Sequence, residues 1–412
     1  MTRLFAKMDF LLSVKLRHIL LLGFLLRVAW ALAVPIVPIS DSTVYDILAQ
    51  RIAAGDGYSW PDGRPTVYWA VGASALYAVV YALFTHSFIA VSIVNIVMGT
   101  LLVLAVYKLA LTRFDEGVAR LAALLAAVWP AWIALTSVLS SELPSNLFLA
   151  AGMTVIMSRR YSWLLRIALG SLLLIAAAYI RPTTLPLIVA VPVLDALVSR
   201  RWKMALASGV LALAIAAVAF APWAARNQAY FGKPVLVSAN FGIVFWMGNN
   251  PASKGDYMLL PKDMPDGEVA RDELLKQRAI EFIKDNPQRY FVLCLKRVKL
   301  SYLRESIAVA WNEKGLPDAI EMPLKLVLAG YWLMVLGLSL VGFALFIRRE
   351  PIRIIDPMTA AIGLLGSISI LVIGSDRYHF GLMPFVAIFA AYALQWLIHY
   401  GQAKAAPAAV KR

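Results

Sequence analysis

The sequence predicts an all-α polytopic membrane protein, and three observations carry that reading. First, of its 412 residues 61% are hydrophobic and only 15% are charged, with a mean hydropathy of +0.74. Soluble domains are about half apolar and one-quarter charged, and a soluble core could not hide this much apolar surface. Second, apolar runs approaching the roughly 20 residues needed to cross a bilayer recur along the chain. Third, Lys and Arg cluster between alternate runs, as they do in loops on the cytoplasmic side of a membrane. The net charge of +15 therefore reads as cytoplasmic loops and contact with anionic lipid heads, and not as a nucleic-acid surface. A lone cysteine, Cys294, rules out an internal disulfide framework and a cysteine-based metal site.

Arg3, Lys7, Lys15 and Arg17 precede the first apolar run, 18–37, and place the N-terminus in the cytoplasm. That run lacks a small-residue cleavage site and reads as a retained anchor. Pro35 and Pro38 end it, so the loop 38–86 lies outside. Within this loop, residues 41–54 put Val44, Ile47, Leu48 and Ile52 on one helical face and Asp46, Gln50 and Arg51 opposite, the pattern of a helix lying in the interface. Gly55-Asp56-Gly57 stops it and Pro61-Asp62-Gly63 is a turn. Residues 67–84 are apolar enough to span, but parity argues against it. If they spanned, Lys108, Arg113 and Arg120, then Arg159 and Arg160, then Arg200, Arg201 and Lys203 would all fall outside. A helix in the outer interface is expected instead, and Tyr68, Trp69, Tyr77 and Tyr81 suit that position.

Spans follow at 87–111, 119–138, 143–158, 163–180, 182–198 and 203–222. The next hundred residues are outside, with turns at Phe231-Gly232-Lys233-Pro234 and Gly248-Asn249-Asn250-Pro251. A solvated helix is expected over 268–285, closed by Asn286-Pro287, and 289–311 is too basic to span and belongs at the interface. Spans resume at 323–347, 354–374 and 380–400. Arg348, Arg349 and Arg353 lie inside, and Lys404, Lys411 and Arg412 put the C-terminus inside as well. The expected architecture is about ten transmembrane helices, arranged as an N-terminal membrane catalytic module 1–222, an extracytoplasmic or interfacial region 223–321, and C-terminal helices with a basic tail 322–412.

Asp41, Glu142, Arg181 and Arg377 stand at the outer ends of apolar segments, all on one side. Ionisable groups near a bilayer are costly and are functional candidates. A carboxylate can act as general base toward a hydroxyl or amine. An arginine grips phosphate in a bidentate, charge-assisted way and stabilises charge on a leaving phosphate. Plainer roles compete: Asp41 or Ser40 could cap the helix that follows, Glu142 could cap the span from Leu143, and the arginines could snorkel to head groups. His18, His86, His379 and His399 lack ligand spacing with one another, and surface or interface positions are expected for them.

Together these features resemble the multi-spanning GT-C glycosyltransferases, and in particular the bacterial branch similar to protein O-mannosyltransferases and aminoarabinose transferases (glycosyltransferase families 39 and 83). The resemblance runs over nearly the whole chain. It rests on Asp41 followed by Tyr45, Gly55-Asp56-Gly57-Tyr58, Pro65-Thr66-Val67-Tyr68, Trp129-Pro130 ahead of Ser141-Glu142, Arg181-Pro182, Arg226-Asn227, Gly248-Asn249-Asn250-Pro251 and Arg377-Tyr378. Two departures stand out. Ala70-Val71-Gly72 replaces a Pro-Pro-Gly, and Asp41-Ser42 replaces an acidic pair that several branches carry, which leaves the metal requirement open. The resemblance implies a hexosyl- or pentosyltransferase that moves a sugar from a polyprenyl-phosphate donor to a glycan, lipid or protein acceptor. It would act with inversion at the periplasmic face of a bacterial inner membrane, among membrane lipids. It implies Asp41 as general base, Glu142 as a residue that orients the acceptor or supports a Mg2+ or Mn2+ ion with Asp41, and Arg377 on the carrier phosphate. Arg181, Arg226, Tyr45, Tyr68, Tyr378 and Asn249 complete the implied substrate-binding set. A flippase or transporter of lipid-linked sugars is the competing class, weakened by the lack of an internal repeat and of midplane charges in the spans. A polymerase or ligase of lipid-linked glycans is the other, weakened because the acids here come early in the chain.

Overall fold

A computed structural model describes residues 8–405; Arg3, Lys7, Lys411 and Arg412 lie outside the described residues. Helices of eight residues or more are numbered α1 Leu16–Ala33, α2 Asp41–Ala53, α3 Val71–Phe84, α4 Phe88–Ala110, α5 Glu116–Ala127, α6 Glu142–Met157, α7 Trp163–Ile180, α8 Leu187–Val198, α9 Trp202–Phe231, α10 Phe241–Gly248, α11 Glu268–Asp285, α12 Pro287–Tyr302, α13 Asp318–Arg349, α14 Pro357–Leu371 and α15 Met383–Ala405. Among the described residues no strand is present beyond an isolated bridge between Ser59 and Pro65. Every expected span position holds an apolar helix. Six are long and apolar enough to cross a membrane, a bent pair makes a seventh, and α6, the segment Pro182–Val198 and α14 are shorter. The boundary expected at residue 222 falls inside α9, which continues to Phe231.

The bent pair is the expected span 119–138. It breaks by 51° between Ala127 and Pro130, because Pro130 has no N–H to give and the residue before a proline avoids helical geometry. Arg27, in the middle of α1, sits against this break. It is fully buried and donates from Nη1 to the carbonyls of Gly23 (2.8 Å) and Ala127 (3.3 Å), covering a carbonyl that the break leaves over. A side chain at Gly99 would strike its guanidinium, with a Cβ 2.4 Å from Nε. The expectation that the spans hold no midplane charge is therefore wrong at Arg27.

Charged residues collect at both ends of the bundle. At one end, buried Asp195 of α8 pairs with Arg113, Arg159 and Arg166 at 3.1, 3.1 and 2.7 Å, and Arg113 also reaches buried Asp356 ahead of α14. These pairs tie the ends of α4, α6, α7, α8 and α14 together. At the other end lie Glu142, Arg181 and the end of α1, where Ser137 Oγ donates to the Val34 carbonyl at 2.7 Å.

Helix α3 has both ends on this second side. Its start packs on the C-terminus of α7, where a Cβ at Gly72 would lie 2.7 Å from the Tyr179 carbonyl. Just past its end, His86 Nε2 meets Asp46 Oδ1 of α2 at 2.9 Å, and α4 starts two residues later and runs to the Asp195 end. So α3 lies across the bundle end and does not traverse it, in agreement with the charge parity. Cysteines placed at Thr85 or Ser87 are expected to label from the outer face of the membrane; labelling only from the cytoplasm would overturn this topology.

The region between α9 and α13 is less solvated than its composition suggests. Buried Leu275 and Ala279 of α11 pack in one cluster with Ile243, Trp246 and Met247 of α10. Glu268 at the start of α11 accepts Thr66 Oγ1 and the Val67 N–H, both at 2.7 Å, which locks this helix to the segment between α2 and α3.

Candidate active site

The four charged candidates reach one point by four separate routes. Asp41 is the first residue of α2. The chain enters it through Ser40 at φ 51°, a left-handed conformation uncommon for a residue with a Cβ. Ser40 occupies the cap position without a side-chain capping bond, and the Asp41 carboxylate accepts from Arg377 instead. Glu142 is the first residue of α6. The stretch ahead of it is held open by Asn95, which donates to the carbonyls of Thr136 and Val138 (3.1 Å each), and by Tyr77, whose hydroxyl donates to Ser140 O (3.1 Å) and accepts from Ser140 N (3.0 Å). Arg181 follows α7 in extended geometry, which a following proline favours.

Arg377 lies between α14 and α15, with its neighbours pinned on both sides. Asp376 accepts from Ser306 N, Ser306 Oγ and Ile307 N at 2.7, 2.8 and 3.1 Å. His379 meets the Ser301 carbonyl at 2.6 Å and Glu305 at 3.2 Å, and stacks on Trp332 at 3.9 Å. The surface or interface position expected for His379 is wrong: it is fully buried, because the chain after α12 folds over it and brings the buried Glu305 as its partner.

Arg377 bridges the two acids. Nη1 pairs with Asp41 Oδ2 and Nε donates to Glu142 Oε1 at 2.6 Å, while the guanidinium lies 5.2 Å from the Trp311 ring centre. Arg181 Nη1 pairs with the same Glu142 oxygen and donates to Ser141 Oγ at 3.0 Å. Glu142 is 1% exposed, whereas the side chains of Asp41 and Arg377 are 26% and 23% exposed. Burial alone would lower the Arg377 pKa, but the carboxylates of Glu142 and Asp41 hold it well above the usual guanidinium value. Two acids and two arginines make the cluster neutral. The cavity between Asp41, Ser42, Tyr45, Ser140, Glu142 and Arg377 measures only about 10 Å³, room for about one water. Anything larger than a water could enter only by displacing part of this ion-pair network.

No family model and no curated protein matches the chain. Solved structures of the oligosaccharyltransferase of Archaeoglobus fulgidus, a GT-C enzyme, do match. The structure with Zn and sulfate aligns at a TM-score of 0.54 and 16% identity over 95% of this chain and 51% of that one. The structure with an inhibitory peptide and a dolichol-phosphate aligns at 0.55 and 13% over 96% and 52%, and the apo form at 0.55 and 14% over 92% and 50%. This chain has the GT-C fold. It spans about half the length of the structures it matches, and at this identity the likeness concerns fold.

On this GT-C frame the other candidates separate. Tyr45 is buried in α2 and lines the small cavity, and burial raises its phenol pKa. Tyr68 and Tyr378 pack beside one cluster with Met258 and Met264. The Tyr68 phenol is pushed up to about 12 by burial and by the Asp41 carboxylate nearby. Arg226 and Asn249 share no hydrogen bond or ion pair with the four charged residues. Arg226 donates to the carbonyls of Thr66 (3.0 Å) and Tyr58 (2.7 Å), and Asn249 bonds the Val372 carbonyl (3.0 Å) and Arg297 (2.6 Å). Both hold loop backbone. Sequence reading assigned no part in the site to Ser141, Tyr77 or Trp311. Ser141 was legible from its place beside Glu142, but nothing local marks Tyr77 or Trp311, which matter only through contacts across the chain.

The pair Asp41 and Glu142 does not fit a divalent cation as arranged. The place between their oxygens holds the Arg377 guanidinium, and Arg181 shares the same Glu142 oxygen. A cation entering there would have to expel one arginine and face the other. Among the described residues no group of three His, Cys, Asp or Glu is placed to hold a metal ion.

Proposed function

We propose that the protein transfers a sugar from a polyprenyl-phosphate carrier to an acceptor at the outer face of a bacterial inner membrane. The observation that carries this reading is the convergence of Asp41, Glu142, Arg181 and Arg377 at one end of an apolar helix bundle with the GT-C fold. That position puts a base and a phosphate grip where a lipid carrier presents its head group. The donor phosphate enters by taking over the Arg377 contact that Asp41 holds at rest, and Asp41 is then left to meet the acceptor.

The acceptor oxygen or nitrogen attacks the anomeric carbon as the bond from that carbon to the phosphate oxygen breaks. Asp41 takes the acceptor proton, and the bonding electrons leave on the polyprenyl phosphate, held by Arg377. Direct displacement inverts the anomeric centre. Glu142, held by Arg181, fixes the place of Arg377 and orients the acceptor.

The test is whether purified protein releases polyprenyl phosphate from a lipid-linked monosaccharide when a membrane extract supplies acceptors, with mass spectrometry to follow the sugar. Release coupled to a glycosylated product is expected. Movement of intact lipid-linked sugar across vesicles without release would instead favour a flippase, and joining of whole glycan chains a polymerase or ligase.

A further inference from the structure

Helix α12 turns two different faces to its surroundings. The buried face carries Leu293, Cys294, Arg297 and Ser301, and it grips the segment from which Arg377 projects. Arg297 Nη1 donates to the Ile370 and Leu371 carbonyls at the end of α14, both at 3.0 Å. Ser301 Oγ accepts from the Ser375 N–H at 3.2 Å, and the Ser301 carbonyl meets His379 at 2.6 Å. Glu305 and Ser306, just past the helix, hold His379 and Asp376. Residues on both sides of Arg377 are thus tied to α12 or to the short stretch that follows it.

The opposite face is covered by no other part of the described chain. Phe291, Leu295 and Val298 form one exposed stripe at helical spacing, and Val292, Lys296, Lys299 and Leu303 form a second beside it. Phe291 is 63% exposed and Leu295 57%. The helix contains no Asp or Glu. Among the described residues neither Lys296 nor Lys299 has an ion-pair partner, and Arg304 nearby reaches Asp376 only at 4.0 Å.

The helix also crosses the end of α14 obliquely. The Tyr290 hydroxyl donates to the Leu371 carbonyl at 3.3 Å and the Tyr302 hydroxyl to the Gly366 carbonyl at 3.0 Å. From Tyr290 to Tyr302 is roughly 18 Å of helix, while Gly366 to Leu371 is roughly 8 Å. So α12 lies nearer the plane of the bundle end than the bundle axis, at the level where α14 stops and the charged cluster begins. Water does not suit the apolar stripe, and hydrocarbon does not suit the lysines. A headgroup layer suits both, with the apolar side chains at the acyl boundary and the lysines reaching to phosphates.

We infer that the exposed face of α12 docks on an anionic phospholipid surface, and that this docking holds Arg377 in its working position. The surface is anionic and not zwitterionic, because the face brings two unpaired positive charges and no negative one. The effect on donor use rests on the transfer reading above; the docking does not.

The experiment uses full-length protein in nanodiscs of phosphatidylcholine, with or without phosphatidylglycerol. Trace phosphatidylglycerol carrying a diazirine near its headgroup is expected to label peptides of α12, and unlabelled phosphatidylglycerol should compete while phosphatidylcholine should not. The double variant Lys296→Gln, Lys299→Gln changes two exposed side chains outside the charged cluster. It is expected to lower labelling roughly tenfold, a few-fold for each lysine, and the double variant Lys296→Arg, Lys299→Arg should restore it. Equal competition by phosphatidylcholine, or undiminished labelling of the Gln variant, would overturn the assignment. Absence of α12 labelling in wild type would mean that a protein partner or a second copy covers the face, and would overturn it too.

Donor kinetics test the link to Arg377. In wild type, KM for the lipid-linked donor is expected to fall several-fold when phosphatidylglycerol is added, with kcat little changed. In the Gln variant KM should not respond, and this comparison cancels any effect of the lipid on the donor itself. An equal response in both proteins would overturn the link. If wild type turns over no donor in either disc, the transfer reading falls, and the labelling decides the docking face by itself.

Discussion

Replacing Asp41 by Asn should leave a folded, membrane-inserted protein whose turnover is lower by roughly a hundredfold or more, the usual scale for loss of a general base. A cap needs only an acceptor, and Asn serves about as well as Asp in that role. Here, however, Ser40 holds the cap position and Asp41 is bonded to Arg377. Asn keeps the shape and can still accept from Arg377, but it cannot take a proton. Donor affinity should survive or tighten, since Arg377 is then less strongly held by its neighbour. The measurement is transfer rate together with donor affinity, mutant beside wild type in the same membranes. Near-normal turnover would remove Asp41 from the chemistry and leave Glu142 as the candidate base. That would be a harder case to make, because Glu142 is 1% exposed and already accepts from both arginines.

Arg377→Ala should be damaging in two measurable ways. It removes the proposed phosphate contact, so kcat/KM for the donor should fall by about a hundredfold or more, the scale seen when a charge-stabilising donor is lost. It also leaves buried Glu142 with Arg181 as its remaining ion-pair partner and Asp41 with none. Breaking a buried pair by removing one member costs about 3 kcal/mol, so the thermal midpoint in detergent should drop as well. Arg377→Lys separates the two effects. A lysine restores the charge, and with it most of the stability, but one ammonium cannot span Asp41 and Glu142 as Nη1 and Nε do, nor grip a phosphate with a planar fork. Recovery of stability with incomplete recovery of donor use is the expected pattern. Full activity in Arg377→Ala would move the phosphate site to Arg181.

The sequence by itself determined which segments are helical and apolar, because hydropathy and periodicity act locally and a bilayer accepts few other solutions. It also determined that 67–84 lies on the same side as the loops flanking it. That follows from where Lys108, Arg113, Arg159 and Arg200 fall, since each of those clusters independently resists the alternative. The break at Trp129-Pro130 was written in the proline, although the span was expected to be continuous.

Only the tertiary structure decided which polar residues meet. Asp41 and Arg377 are 336 positions apart and Glu142 and Arg377 are 235 apart, and no local spacing encodes such pairs. An arginine at a helix end reads the same whether it faces a phosphate or ties down a loop. Packing brought Arg181 and Arg377 to two carboxylates and turned Arg226 toward the carbonyls of Tyr58 and Thr66. His379 likewise looked like a boundary residue, because the buried acid that accepts its ring, Glu305, lies 74 positions earlier. The reason is the same in each case. A buried charge is tolerated only where a partner is delivered to it, and delivery is a property of how helices pack, which composition and periodicity do not contain.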